Sequence, residues 1–119
     1  MALTKRKGFD RFISSIRNSW AGLVDATRTE DAFQQVLLTS SALVVVALSI
    51  DVTKVERLLL IASCFLLIVV ELLNTAIESV VDRISLERHP LSKRAKDLGG
   101  AAQLVTVVLV IIIWFAILF

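Results

Sequence analysis

At 119 residues the chain has room for one domain, and 56% of it is hydrophobic, with a mean hydropathy of +0.80. A soluble domain this small buries the lowest share of its surface and cannot hide so much apolar side chain, so a bilayer must be the solvent for much of it. Lys and Arg number 13 against 11 Asp and Glu, a net charge of +2 that says little about partners, and the single cysteine, Cys64, excludes a disulfide framework and a zinc site.

The basic start, MALTKRKGFDRF, is not followed by an uninterrupted apolar run and a small-residue cleavage site, and is expected to be mature protein rather than a signal peptide. Residues about 6–27 are expected to form an interfacial helix. Phe9, Phe12, Ile13, Ile16, Trp20, Leu23 and Val24 recur at three- and four-residue steps, while Arg11, Ser14, Arg17 and Asn18 occupy other faces. A basic, Trp-bearing amphipathic helix lies most simply in the membrane interface plane.

A first span is expected over about 30–50; its Gln34, Gln35, Thr39, Ser40 and Ser41 are tolerable in lipid if they face protein. Just before it, Thr27-Arg28-Thr29-Glu30 fits a capping box, in which Glu30 would close a helix end. The short turn SIDVTKVER leads to a second span over about 55–84. A longer polar loop, DRISLERHPLSKRAKD, leads to a third over about 95–119, where only Gln103 and Thr106 interrupt the stretch from Ala101 to Phe119. Orientation follows from the basic residues. Lys5, Arg6, Lys7, Arg11, Arg17 and Arg28 precede the first span, and Arg83, Arg88, Lys93, Arg94 and Lys96 precede the third, against only Lys54 and Arg57 in the intervening turn. The N-terminus and second loop belong in the cytoplasm and the C-terminus outside. The expected fold is therefore an all-α membrane protein, with an interfacial helix and three transmembrane helices in a single domain over 1–119.

The second span carries an anomaly. In VVELLNTAIESVVDRI, Glu71, Asn74, Glu78 and Asp82 share one side of a helix, since positions seven apart project within roughly 20° of each other. Ionisable groups in a span cost roughly 2.5–3.5 kcal/mol each on insertion scales and usually face a bundle interior or a wet cavity. Asp82 has a bland explanation as a headgroup-level residue with Arg83 as its partner. Glu71 has none, because it lies deeper and no basic residue precedes it within the span. Glu30, Lys96 and Asp97 open the neighbouring spans at about the level of Glu78, and oxygen ligands with a lysine suit a magnesium–phosphate site. Gly99, Gly100, Ala101 and Ala102 leave the third helix thin there. His89 reads by default as a solvated loop residue and Cys64 as filler. There is no phosphate-binding GxxxxGK[ST], no GxGxxG and no protein-kinase motif set. A proton or ion conduit would need a polar line across the bilayer, but LLLIASCFLL is apolar apart from Ser63, so the stripe stops halfway. A non-enzymatic subunit using its acids only to dock a partner is the other alternative.

ELLNTAIESVVDRI and HPLSKRAKDLGGAA resemble the signature segments of the small prokaryotic diacylglycerol kinases, and SWAGL, EDAFQQ and the three-span layout fit as well. The resemblance implies a homotrimer in the bacterial inner membrane that transfers the γ-phosphoryl of ATP to a lipid hydroxyl with Mg2+, at composite sites between subunits. It implies Glu71 as general base supported by Asn74, and Glu30 and Glu78 as holders of the metal on the ATP phosphates. Arg11, Glu87, His89, Lys96 and Asp97 would contact nucleotide, as would Asn18, which stands where an aromatic residue is common. Trp20, Phe33 and Gly100, with Glu71, would meet the lipid. Pro90 replaces an acid found in many diacylglycerol kinases, a variant also present in the related undecaprenol kinases, so undecaprenol stands as the alternative, while the overall length and the N-terminal helix favour diacylglycerol as the lipid.

Overall fold

The computed structural model describes residues 7–119. Lys5, Arg6 and the expected start of the interfacial helix at residue 6 lie outside the described residues. Four helices follow in order: α1 (Gly8–Thr29), α2 (Asp31–Ser49), α3 (Lys54–Ile84) and α4 (Pro90–Leu118). The last three are each long and apolar enough to cross a membrane.

Helix α1 leaves its apolar stripe uncovered, with Phe9, Phe12, Ile16 and Trp20 all exposed and only Ala26 buried. That is the state of an amphipathic helix whose apolar side is solvated by lipid rather than by protein. It breaks from α2 at one residue, Glu30, whose backbone is extended. The expected capping box over Thr27–Glu30 does not form. Helix α1 runs through Thr27 and Thr29, where Glu30 N still donates to the Ala26 carbonyl at 3.1 Å and the two hydroxyls donate back to the carbonyls of Leu23 and Asp25, at 2.7 and 2.8 Å. Glu30 takes the N-cap position of α2 without any side-chain cap bond. Gln34 closes the corner instead, donating from Nε2 to the Thr27 carbonyl at 2.8 Å.

The capping box stands at the next helix start. Glu56 N donates to Thr53 Oγ1 at 3.2 Å and Thr53 N to Glu56 Oε1 at 3.0 Å, so two of the orphan donors at the start of α3 are satisfied. The turn before it is tied by Arg57, whose guanidinium donates to the carbonyls of Ala47, Ile50 and Val52. Those carbonyls end α2 and begin the turn, where helical partners run out.

The core occupies the half of the bundle remote from α1: Ala47 from α2, Leu60, Cys64 and Leu67 from α3, Val110 and Trp114 from α4. Its polar contact between α3 and α4 is complete, with Trp114 Nε1 donating to Ser63 Oγ at 3.1 Å and Ser63 Oγ to the Leu60 carbonyl at 2.7 Å. Most other large apolar side chains of the spans face outward, among them Phe65, Val69, Val105, Ile111 and Phe115. Helices suit this environment because each satisfies its own backbone, leaving the outward side chains for lipid or for a second subunit.

Candidate functional site

At the other end of the bundle, the stripe on α3 divides by depth. Glu71 is buried, with 5% of its surface exposed, while Glu78 one face-repeat further along is exposed. Glu78 and Glu30 both lie close enough for their charges to act on Glu71, so α2 and α3 bring three carboxylates into one electrostatic group. Asn74, between Glu71 and Glu78, has a shielded Oδ1 with no hydrogen-bond partner among the described residues. It sits against Gly99 of α4, where even a Cβ would collide with Asn74 Oδ1, so the absence of a side chain is what leaves room for the Asn74 carboxamide at this helix contact.

Beyond Glu78 the stripe meets cations. Asp82 pairs with Lys96 of α4 at 2.7 Å, not with Arg83, its neighbour in sequence. Successive helical residues project about 100° apart, whereas α4 presents Lys96 directly across the helix contact. Glu78 also acts electrostatically on Lys96, which makes Glu78 the member shared by the carboxylate group and the cation. One turn earlier on α4, Lys93 Nζ donates to Asp97 Oδ2 at 2.6 Å.

These charges surround a cavity of about 640 Å³ at the α3–α4 connection, lined among others by Asp82, Glu87, His89, Lys93, Lys96 and Asp97. His89 is no idle loop residue: its Nδ1 accepts from Leu91 N at 3.1 Å, capping α4 just ahead of Pro90. Ser85 Oγ likewise accepts from Glu87 N at 3.0 Å and shapes the connection. A second hollow of about 460 Å³ runs between α1 and α3, floored by Gly22, Ala26, Thr75, Ala76 and Ser79.

The expected site residues thus fall into three groups. Glu30, Glu71 and Glu78, with Asn74, gather around α3, and Glu87, His89, Lys96 and Asp97 gather around the larger cavity. Arg11, Asn18 and Trp20 are exposed on α1 and line neither hollow. Phe33 is 1% exposed, packed within the helix bundle, and Gly100 is exposed with open space around it. Sequence reasoning passed over Lys93, which lines the cavity and holds Asp97. Its four-residue spacing to Asp97 was the available signal.

Among the described residues no three of His, Cys, Asp and Glu come together as a ready-made cation cage. Glu30 and Glu78, whose charges both reach Glu71, are of the donor type that Mg2+ takes, usually one or two carboxylates from a protein with phosphate oxygens and water completing the shell. The arrangement therefore offers a buried carboxylate within a long apolar helix, a half-buried and an exposed one near it, and a cavity edged by cations.

The family model described as prokaryotic diacylglycerol kinase matches residues 17–118. A diacylglycerol kinase of Pseudomonas aeruginosa is 50% identical over 111 residues, covering 93% of this chain and 90% of the relative. One of Escherichia coli K12 is 47% identical over 107 residues, covering 90% and 88%. One of Haemophilus influenzae is 41% identical over 115 residues, covering 97% and 98%. With the polar stripe of α3, its cationic neighbours and three spanning helices all inside the matched stretch, the chain belongs to the prokaryotic diacylglycerol kinase family.

Proposed function

We propose that this membrane enzyme moves the γ-phosphoryl group of ATP to the free hydroxyl of diacylglycerol, giving phosphatidic acid. Membership of the family, and relatives that carry the name diacylglycerol kinase at 41 to 50% identity, make the chain a lipid kinase and favour diacylglycerol over undecaprenol. The observation that carries the mechanism is the buried Glu71 within electrostatic reach of Glu30 and Glu78.

Phosphoryl transfer asks a protein mainly to position reactants and neutralise charge, with a base aligned on the incoming hydroxyl. In this reading Glu71 accepts the proton of the lipid hydroxyl as that oxygen attacks the γ-phosphorus and the bond to the ADP oxygen breaks. Sitting just inside the polar boundary, it meets the hydroxyl where the lipid already holds it, with no extraction from the bilayer. Asn74 orients Glu71. Glu30 and Glu78 would hold a Mg2+ on the nucleotide phosphates; the ion supplies charge neutralisation there. Lys96, freed from part of its pairing with Asp82, would approach the phosphates, and Glu87, His89 and Asp97 would contact the nucleotide from the cavity walls. Arg11 and Asn18 on α1 would add contacts to the nucleotide, and Trp20, Phe33 and Gly100 to the lipid, once neighbouring subunits are in place. A homotrimer with sites shared between subunits fits three thin spans that cannot enclose a lipid and ATP alone. The bacterial inner membrane, N-terminus inside and C-terminus outside, supplies ATP on the correct face.

The test is direct. Purified protein in vesicles containing dioleoylglycerol, ATP and Mg2+ is expected to form phosphatidic acid, and the same vesicles with undecaprenol are expected to show little product. No transfer to either alcohol would end the proposal. Glu71→Gln is expected to lower kcat by at least about a hundredfold, the lower range for loss of a general base, with ATP affinity retained. Wild-type turnover in that variant would remove Glu71 from the role.

A further inference from the structure

The contact between α3 and α4 contains more polarity than the reaction has used. Two points set its register: Trp114 bonds to Ser63 at one end, and Gly99 lies against Asn74 and Ile77 at the other. Gln103 is one turn from Gly99 on the same face of α4, about 6 Å along the axis, and Glu71 is one turn from Asn74 in the same direction, about 4.5 Å. Gln103 therefore stands level with the turn of α3 that carries Glu71 and Asn74.

The neighbouring polar groups on this contact are already satisfied. Thr106 Oγ1 donates to the Ala102 carbonyl at 2.8 Å, and Ser63 is held by Trp114. Gln103 Oε1 and Asn74 Oδ1 are both shielded from solvent and have no hydrogen-bond partner among the described residues. An amide oxygen left alone at membrane depth is costly, since lipid offers no replacement donor. Each carboxamide carries two N–H donors beside its oxygen, so the pair is self-complementary: a turn of one amide presents its N–H to the oxygen of the other. Such a link would fix the plane of Asn74, and with it the side that Asn74 turns toward Glu71.

We propose that Gln103 is a positioning residue for Glu71, acting through Asn74 by a carboxamide contact between α4 and α3. The inference rests on the assignment of Glu71 and Asn74 to the reaction. Such outer partners of a working group are typically worth about tenfold or more in activity.

Gln103→Leu keeps the bulk and removes the amide, and Gln103→Met, matched in length, serves should leucine disturb the packing. The expected result is a kcat lower by about tenfold with KM for ATP and diacylglycerol unchanged. In the full-length protein in detergent, the side-chain ¹⁵N–¹H signals of Asn74, identified by their loss in Asn74→Ala, are expected to move in the Gln103 variant. A normal kcat overturns the proposal, and so does a reduced kcat with unmoved Asn74 signals, which would place the effect elsewhere. Glu71→Gln run in parallel separates the levels. Its loss of turnover beside a normal Gln103→Leu removes Gln103 alone, whereas normal turnover in Glu71→Gln removes the base and the positioning role together.

Discussion

Gly99 and Gly100 are adjacent in sequence and opposite in consequence. A methyl group at Gly99 meets Asn74 Oδ1 at a distance no real contact tolerates, while one at Gly100 meets nothing nearby. Gly99→Ala is therefore expected to turn the Asn74 carboxamide aside and to lower kcat by displacing it. Gly100→Ala is expected to leave stability close to normal and to change only the KM for the lipid. Turnover and unfolding in mixed micelles check the pair, and equal effects would deny the close approach at Gly99. Lys96 belongs to the same scale. It is shared between Asp82 and the field of Glu78, so Lys96→Met is expected to raise KM for ATP by about tenfold or more, the loss of a charge-assisted contact, while KM for the lipid stays level. A change confined to the lipid KM would contradict the placement of Lys96 on the nucleotide side.

At the scale of elements, the helix ends carry the specific chemistry. Arg57 satisfies three carbonyls at the end of α2, so Arg57→Ala removes its donors from a membrane-surface turn. The expected loss is about 1.5–3 kcal/mol, the range for hydrogen bonds to a charged group, read as a lower midpoint in denaturing detergent with kcat per folded molecule retained. Thr53→Val breaks the capping box of α3 and is expected to cost about 1 kcal/mol in the same titration. Both sites lie at the far end of the bundle from Glu71, so either variant with an intact fold and a collapsed kcat would contradict the division into a structural and a reactive half.

Across the described residues, large apolar side chains are exposed on every helix, which asks for lipid around them. As the proposed trimer with shared sites, the molecule is expected to regain activity when Glu71→Gln subunits are mixed with Arg11→Ala subunits, because some mixed sites then hold both native residues. Failure of any mixture to exceed its parents would place each site within one chain. In a Cys64→Ser background, a cysteine at Ser85 is expected to react with an impermeant thiol reagent only from the ATP-bearing side, and one at Asp51 only from the other.

Much of this architecture was legible residue by residue. Lipid forces each span to satisfy its own backbone, so length and apolarity alone mark α2, α3 and α4, and helical periodicity alone puts Glu71, Asn74, Glu78 and Asp82 on one side of α3. The family was legible too, in the segments around Glu71 and Lys96. The partners were not. Asp82 beside Arg83 is a neighbour in the chain but Lys96 is its neighbour in space, and Thr27 with Glu30 matches a cap pattern at a place where α1 simply runs on, while Thr53 with Glu56 forms the box at the start of α3. Nor does any local rule announce that Gly99 rather than Gly100 faces Asn74, or that Arg57 reaches back to α2. Those outcomes depend on the rotation and axial register of one helix against another, which side chains distant in sequence settle together as they pack. Periodicity within a helix is a local property and so the sequence by itself determined it; register between helices is collective, and only the tertiary structure decided it.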